Sequence, residues 1–338
     1  MKTLYISADI AKRSFVAAYW HGQRSQVWGE VANQAAGYAQ FKEWVRRQQQ
    51  ISQAEVVHLI VEPTGGYEQG LVAYARQQGW RVSLVNPKHL RDWANGLGQR
   101  AKTDRQDAML LAQYGAERQP AEHVPPPAET EALKALLDRR EDLDKLLRQE
   151  RNRLEAFNQQ PHAPQSVRDS LERIITTLQE ALAELDQAIQ QFWQDQPDLT
   201  QQLKRLLAIP GVGLKLAPYL LVWCHRWAAL TQGQGSAKGI TALIGLDPRP
   251  FESGQTVFKP SRISKMGHTT MRSRLYLGAL GGSRGHSPLG DFYRQLVKRG
   301  KAKKLALIAA ARKILTWAWA VFRTNTPFDP TKAGAKAI

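Results

Sequence analysis

The chain has 338 residues, 43% hydrophobic and 23% charged, which leaves room for two or three domains of about 100–200 residues and excludes global disorder. No stretch reaches the ~18 consecutive apolar residues of a membrane span, and the first residues lack a signal-peptide apolar core. The single cysteine, Cys224, excludes an internal disulfide or a cysteine-cluster zinc site, so a soluble, cytoplasmic protein is expected.

The first 120 residues alternate strands and helices. Leu4 to Asp9 is a short apolar run ending in an acid; Phe15 to Trp20 predicts a second strand and Gln26 to Val31 a third, with hairpin-sized breaks between. Gly37 to Arg47 predicts a helix with Phe41, Trp44 and Val45 on one face. Val56 to Val61 is an apolar run of the kind buried on both faces of a sheet, and it ends at Glu62. A helix from about Tyr67 to Gln78, a strand from Arg81 to Val85 and a helix from Asp104 to Glu117, N-capped by Thr103, complete the region. Three strands followed by strand–helix alternation is the layout of the ribonuclease H-like nucleases.

Pro120 to Pro127 is a proline-rich break that marks a domain boundary. Beyond it, Leu171, Ile175, Leu178, Leu182, Leu185, Ile189 and Phe192 are spaced as a heptad seam. Leu136, Leu143, Leu147 and Leu154 lie in looser register within Leu133 to Phe157, and Pro161 and Pro164 separate the two stretches. An antiparallel helical hairpin or coiled coil is expected, pairing with another copy or packing on its own domain. From Leu203 a third unit begins. Leu206 to Gly213 matches the hairpin of a helix-hairpin-helix element, with a plain helix corner as the alternative.

The charge is concentrated at the end of the chain. Lys and Arg total 47 against 30 Asp and Glu, a net +17, and Phe258 to Ile338 carries 17 basic and two acidic residues, +15 of that excess. Such a field gathers polyanions, so DNA or RNA comes first among partners, ahead of an anionic membrane surface.

Four carboxylates stand out in the first domain: Asp9 and Glu62 at strand ends, and Asp104 and Asp107 three apart on one helical face. Clustered carboxylates repel unless divalent cations occupy the centre, and their hard oxygens suit Mg²⁺ or Mn²⁺, which polarise a phosphodiester. Taken singly, each acid reads equally as a cap or a solvated residue.

Several segments carry a resemblance: Ala8 to Lys12, Val61 to Tyr67, Val85-Asn86-Pro87 and Lys102 to Ala108, then Ile209 to Gly213, Gly245 to Pro248, Glu252-Ser253-Gly254 and Ser264 to His268. In order and spacing they resemble the Asp-Glu-Asp-Asp transposases of the insertion sequence 110 family, with Ala8 where glycine often precedes the first aspartate. The resemblance implies an α/β RNase H-like (RuvC-like) domain over 1–124, a helical coiled-coil arm over 125–198, and a mainly α-helical C-terminal transposase domain over 199–338.

It further implies a recombinase that joins DNA through a phosphoserine on Ser253, with Asp9, Glu62, Asp104 and Asp107 holding Mg²⁺ or Mn²⁺. It also implies an element-encoded structured guide RNA that pairs with donor and target double-stranded DNA. The heptad seam from Leu171 to Phe192 predicts a homo-oligomer (dimer or tetramer), and a bacterial protein at the nucleoid when active is expected. By position, Arg262, Lys265, His268, Arg272 and Arg274 are candidate phosphate contacts near Ser253. Lys298, Arg299, Lys301, Lys303 and Lys304, with Arg294, form a second basic cluster. Two other readings use the same residues: a junction-resolving nuclease with water as nucleophile, and a non-enzymatic nucleic-acid scaffold.

Overall fold

Strands β1 (Thr3–Ile10), β2 (Ser14–His21) and β3 (Arg24–Ala32) form an antiparallel meander. Beyond helix α1 (Ala35–Ser52), β4 (Val56–Val61) joins β1 in parallel. Helix α2 (Gln69–Gln77) leads to β5 (Arg81–Leu84), parallel to β4, so the sheet order is β3-β2-β1-β4-β5. The computed structural model describes residues 2–22, 24–99, 103–160, 164–253 and 257–332, and only the backbone of residues 21, 250–253 and 257–261. Lys102, Pro161 and Gly254 of the sequence motifs lie outside the described residues. The chain divides into two compact units, Met1–Val124 and Pro125–Ile338.

Alternation along β1 settles which face is which in the first unit. Leu4, Ile6, Ala8 and Ile10 pack with Phe15, Phe41, Val45, Leu59 and Val61 on the α1 side. Tyr5 turns the other way, into a cluster with Ile60, Leu90, Leu110 and Leu111. That second face is covered by α3 (Pro87–Gly96) and α4 (Asp104–Arg118). The sequence pattern does not predict α3, whose ten residues are mixed in polarity; its start is nonetheless encoded, because the Asn86 side chain accepts from Lys88 N at 2.9 Å and Pro87 fixes the first turn. On α4, Gly115 permits a close approach: a Cβ there would lie 2.4 Å from Ile60 Cγ1.

In the second unit α5 (Ala128–Phe157) packs along α6 (Gln165–Asp195), and Arg140 Nε reaches Asp186 Oδ1 at 2.5 Å across the pair. The heptad residues of α6 are half-buried, and none of its residues is fully buried. α7 (Pro197–Leu207) and α8 (Ala217–Leu230) are joined by a glycine turn in which Gly211 has φ +85. α9 (Ala237–Ile244) precedes a hairpin of β6 (Pro248–Ser253) and β7 (Val257–Ile263), which the sequence pattern does not predict because Pro248, Pro250 and Pro260 break it. α10 (Thr269–Gly282), α11 (Pro288–Lys298) and α12 (Lys303–Thr324) complete the unit. The Gly211 turn rests on α10, where a Cβ on Gly211 would meet Gly278 O at 2.6 Å. α12 alone among the described residues is long and apolar enough to cross a membrane, yet Ala310, Ala311, Ile314, Leu315 and Ala318 on it are fully buried in this unit's core.

Candidate active site and nucleic-acid interface

Parallel pairing of β1 and β4 matches Ala8 to Val61, so Asp9 and Glu62 are the next pair along, at the same edge of the sheet. Asp9 follows Ser7 by two residues and therefore shares its face. Ser7 is fully buried there and its hydroxyl donates to Ala108 O of α4 at 2.6 Å. Glu62 is the first residue beyond β4 and is half-buried. The helix begins at the same edge: Thr103 Oγ1 accepts from Gln106 N at 3.3 Å, and Asp104 and Asp107 occupy the first turn. Negative charge in a first turn is favoured by the helix dipole whether or not it binds anything.

The loops that follow the two strand-end acids are tied together. Asn33 Nδ2 donates to Ala11 O at 3.2 Å and to Tyr67 O at 3.0 Å, while its Oδ1 accepts from Tyr38 OH at 2.6 Å. Burial pushes the Tyr38 hydroxyl pKa up, which keeps it a donor. The buried Glu68 carboxylate accepts from Thr64 N and Gly66 N, both at 3.0 Å, and folds residues 62–68 around itself. Asn33 and Glu68 are not legible as site residues in the sequence; Glu68, six residues after Glu62, reads there as an ordinary helix-start acid.

The side chains are less gathered than the backbone. The sequence leads one to expect the four carboxylates within reach of a shared ion, yet among the described residues no three His, Cys, Asp or Glu groups stand close enough to hold one. Asp107 faces a cation of the protein: Arg91 Nη2 of α3 is 3.8 Å from its Oδ1. Four hard oxygen donors from three elements at one edge, with a guanidinium drawn to one of them, fit a divalent cation in charge and donor type.

In the second unit, Ser253 ends β6 opposite Val257, beside the tip of the hairpin. Arg262 and Lys265 are exposed. The candidate phosphate contacts on α10 have internal partners. Arg272 donates to Ile244 O at 3.1 Å and Gly267 O at 2.7 Å. Arg274 reaches Glu141 Oε2 and Tyr219 OH, both at 3.0 Å, with its guanidinium 3.8 Å from the Tyr219 ring centroid. His268 caps α10 by accepting from Met271 N at 3.3 Å, and burial lowers its pKa from the ordinary histidine value. By contrast Lys298, Arg299, Lys301, Lys303 and Lys304 are all exposed at the turn between α11 and α12.

Comparison with known proteins agrees along the chain. Residues 6–162 match a DEDD-type IS110 transposase model, and residues 203–294 match the model described as the Transposase IS116/IS110/IS902 family. A pilin gene-inverting protein of Moraxella bovis is 35% identical over 97% of this chain and 98% of its own length. That of Moraxella lacunata is 34% identical over the same shares. The chain belongs to the IS110 family of transposases and is a DNA recombinase.

Proposed function

We propose that this recombinase exchanges DNA strands through a covalent link to Ser253, with Asp9, Glu62, Asp104 and Asp107 holding Mg²⁺ or Mn²⁺ and a structured RNA encoded by the element choosing the donor and target sites. Relatives named for inverting a pilin gene match 97% of the chain, and inverting a DNA segment, like moving one, requires strands to be cut and rejoined. What supports the metal assignment is the parallel β1–β4 register, which brings Asp9 and Glu62 to one end of that strand pair, with α4, which carries Asp104 and Asp107 in its first turn, bonded to β1 through Ser7.

The step balances without an outside reductant or energy source. The Ser253 hydroxyl forms an Oγ–P bond, the bond from phosphorus to one deoxyribose oxygen breaks, and the serine proton ends on that leaving oxygen. A second DNA hydroxyl reverses the step and frees the serine. A bound divalent cation would supply charge to the phosphate oxygens. Asn33 and Glu68 hold the acid-bearing loops, and the exposed cations of the second unit grip backbone phosphates. In this reading RNA pairing supplies sequence and the protein reads backbones.

The test is a nicked suicide DNA substrate, with its guide RNA, incubated with wild type, Ser253→Ala and Asp104→Ala proteins. The reading expects a protein–DNA adduct with wild type alone. Cleavage without any adduct supports water as the nucleophile, the chemistry of a junction resolvase. An adduct with Ser253→Ala removes the serine assignment.

A further inference from the structure

We propose that Arg91 is an exchangeable counter-ion of the carboxylate edge, holding Asp107 until a divalent cation arrives and then passing to a backbone phosphate of the DNA, so that metal loading and DNA binding are coupled. The inference rests on the metal reading above and concerns a residue that no motif in the sequence singles out.

Three observations carry it. First, α3 is fixed. Leu90 and Ala94 pack against Leu110 and Leu111 of α4, and the Trp93 and Tyr114 rings meet edge-on at 5.2 Å. The backbone of Arg91 is therefore anchored beside the first turn of α4. Second, the side chain is not fixed. It is 40% exposed, and 3.8 Å to Asp107 is too long for a hydrogen bond, so the pairing is a loose electrostatic one. Third, β5 runs parallel to β4, with Val85 N donating to Val61 O at 2.9 Å. This brings the start of α3 to the edge that bears Glu62, and adds the Arg91 guanidinium to the exposed cations Lys12, Lys88 and Arg105 that flank the acids in the chain.

A guanidinium and a divalent cation compete for one carboxylate. While Arg91 faces Asp107, one ligand of the metal is engaged; a DNA phosphate offers the guanidinium two oxygens in the planar fork it prefers, and releases the aspartate. Metal then binds more tightly in the presence of DNA, and by linkage DNA binds more tightly in the presence of metal. The device restrains metal-charged chemistry until a strand is in place.

The experiment is an Mn²⁺ titration of the full chain by electron paramagnetic resonance, with and without a short DNA duplex. Arg91→Gln should bind Mn²⁺ about two- to fivefold more tightly than wild type in the absence of DNA, the range set by a half-exposed ion pair. It should also lose most of the tightening that DNA brings to wild type. Arg91→Lys, which keeps charge but not the fork, should fall between. Lys88→Gln removes an exposed cation from the same helix and should leave the DNA-free isotherm unchanged. Unchanged circular dichroism confirms that the variants fold. Equal isotherms for wild type and Arg91→Gln overturn the Arg91 inference alone, as does a Lys88→Gln shift of the same size. Absence of saturable binding to wild type, or binding indifferent to Asp9→Asn and Asp107→Asn, overturns the metal reading and this inference with it.

Discussion

His58 stands on β4, almost fully buried, with Nε2 2.7 Å from Ser83 Oγ. The Ser83 hydroxyl has one proton, and its oxygen also lies 3.0 Å from Pro120 O and 2.8 Å from Ala121 O. If serine donates to a carbonyl, the imidazole must donate to serine, which assigns the Nε2–H tautomer. Burial, aided by the Arg81 charge, lowers its pKa to about 4. Between the unfolded value of about 6.5 and that figure the unfolded chain binds a proton the folded chain refuses, so stability rises with pH across this window and is lost as pH falls through it. The full shift is worth about 3 kcal/mol. Urea unfolding at pH 4.5 and 7 should show a smaller pH dependence for His58→Asn than for wild type; equal dependences would exclude the histidine as the source. A second residue-scale prediction concerns Asn33→Asp, which keeps the shape but loses both loop-holding donors. Strand cleavage should drop by at least tenfold while stability falls by no more than about 2 kcal/mol, the scale of two hydrogen bonds. The acids themselves are legible in the sequence because each ends an apolar run or opens a helix. Asn33, Glu68 and Arg91 are not, because their partners are backbone groups and acids brought near only by folding.

The strands of the first unit can be read closely from the sequence, since β4 is buried on both faces and is apolar at every position but His58. α3 escapes such a reading for the opposite reason: only Leu90 and Ala94 on it are buried, too few for a periodicity to show. Its readable signal is the Asn86-Pro87 pair, a cap followed by a first-turn proline. The β6–β7 hairpin is hidden by its prolines, which an isolated two-stranded ribbon tolerates because both strands have a free edge. Gly115 shows how packing overrides propensity. Replacing it with alanine gains about 1 kcal/mol of helix propensity. The new Cβ would press into Ile60, a fully buried residue of a central strand, and overpacking of that kind costs about 1–3 kcal/mol. Gly115→Ala should therefore unfold at lower urea than wild type, and it should lose cleavage as well, because α4 carries Asp104 and Asp107 on the same rigid element. A stabilised, fully active variant would show that α4 has slack against the sheet.

Two features of the whole chain bear on assembly and on DNA. Along α6 the heptad residues are half-buried beside α5, while Val167 and Ile174, seven apart, are each more than 40% exposed. A second copy covering that flank would give a dimer, and Ile174→Lys should shift it toward monomer in sedimentation without lowering the unfolding midpoint. The basic turn makes the sharper case, because there electrostatics works against the fold. Asp291 and Asp329 are already paired with Arg294 and Lys332, and no ion pair among the described residues engages Lys298, Arg299, Lys301, Lys303 or Lys304. Lys303 and Lys304 lie in the first turn of a 22-residue helix with no acid and no side-chain cap, where the helix dipole disfavours cations. A charge arrangement that costs stability is explained by a polyanion that needs it. Lys301→Gln, Lys303→Gln and Lys304→Gln combined should make the free protein slightly more stable, by up to about 1 kcal/mol. The same variant should bind duplex DNA more weakly, and the slope of log K against log salt should shrink by roughly 0.9 for each phosphate that is no longer neutralised. The opposite signs make the test selective: a variant that loses stability together with affinity would mean these lysines serve the fold, and an unchanged salt slope would mean that DNA does not touch this turn.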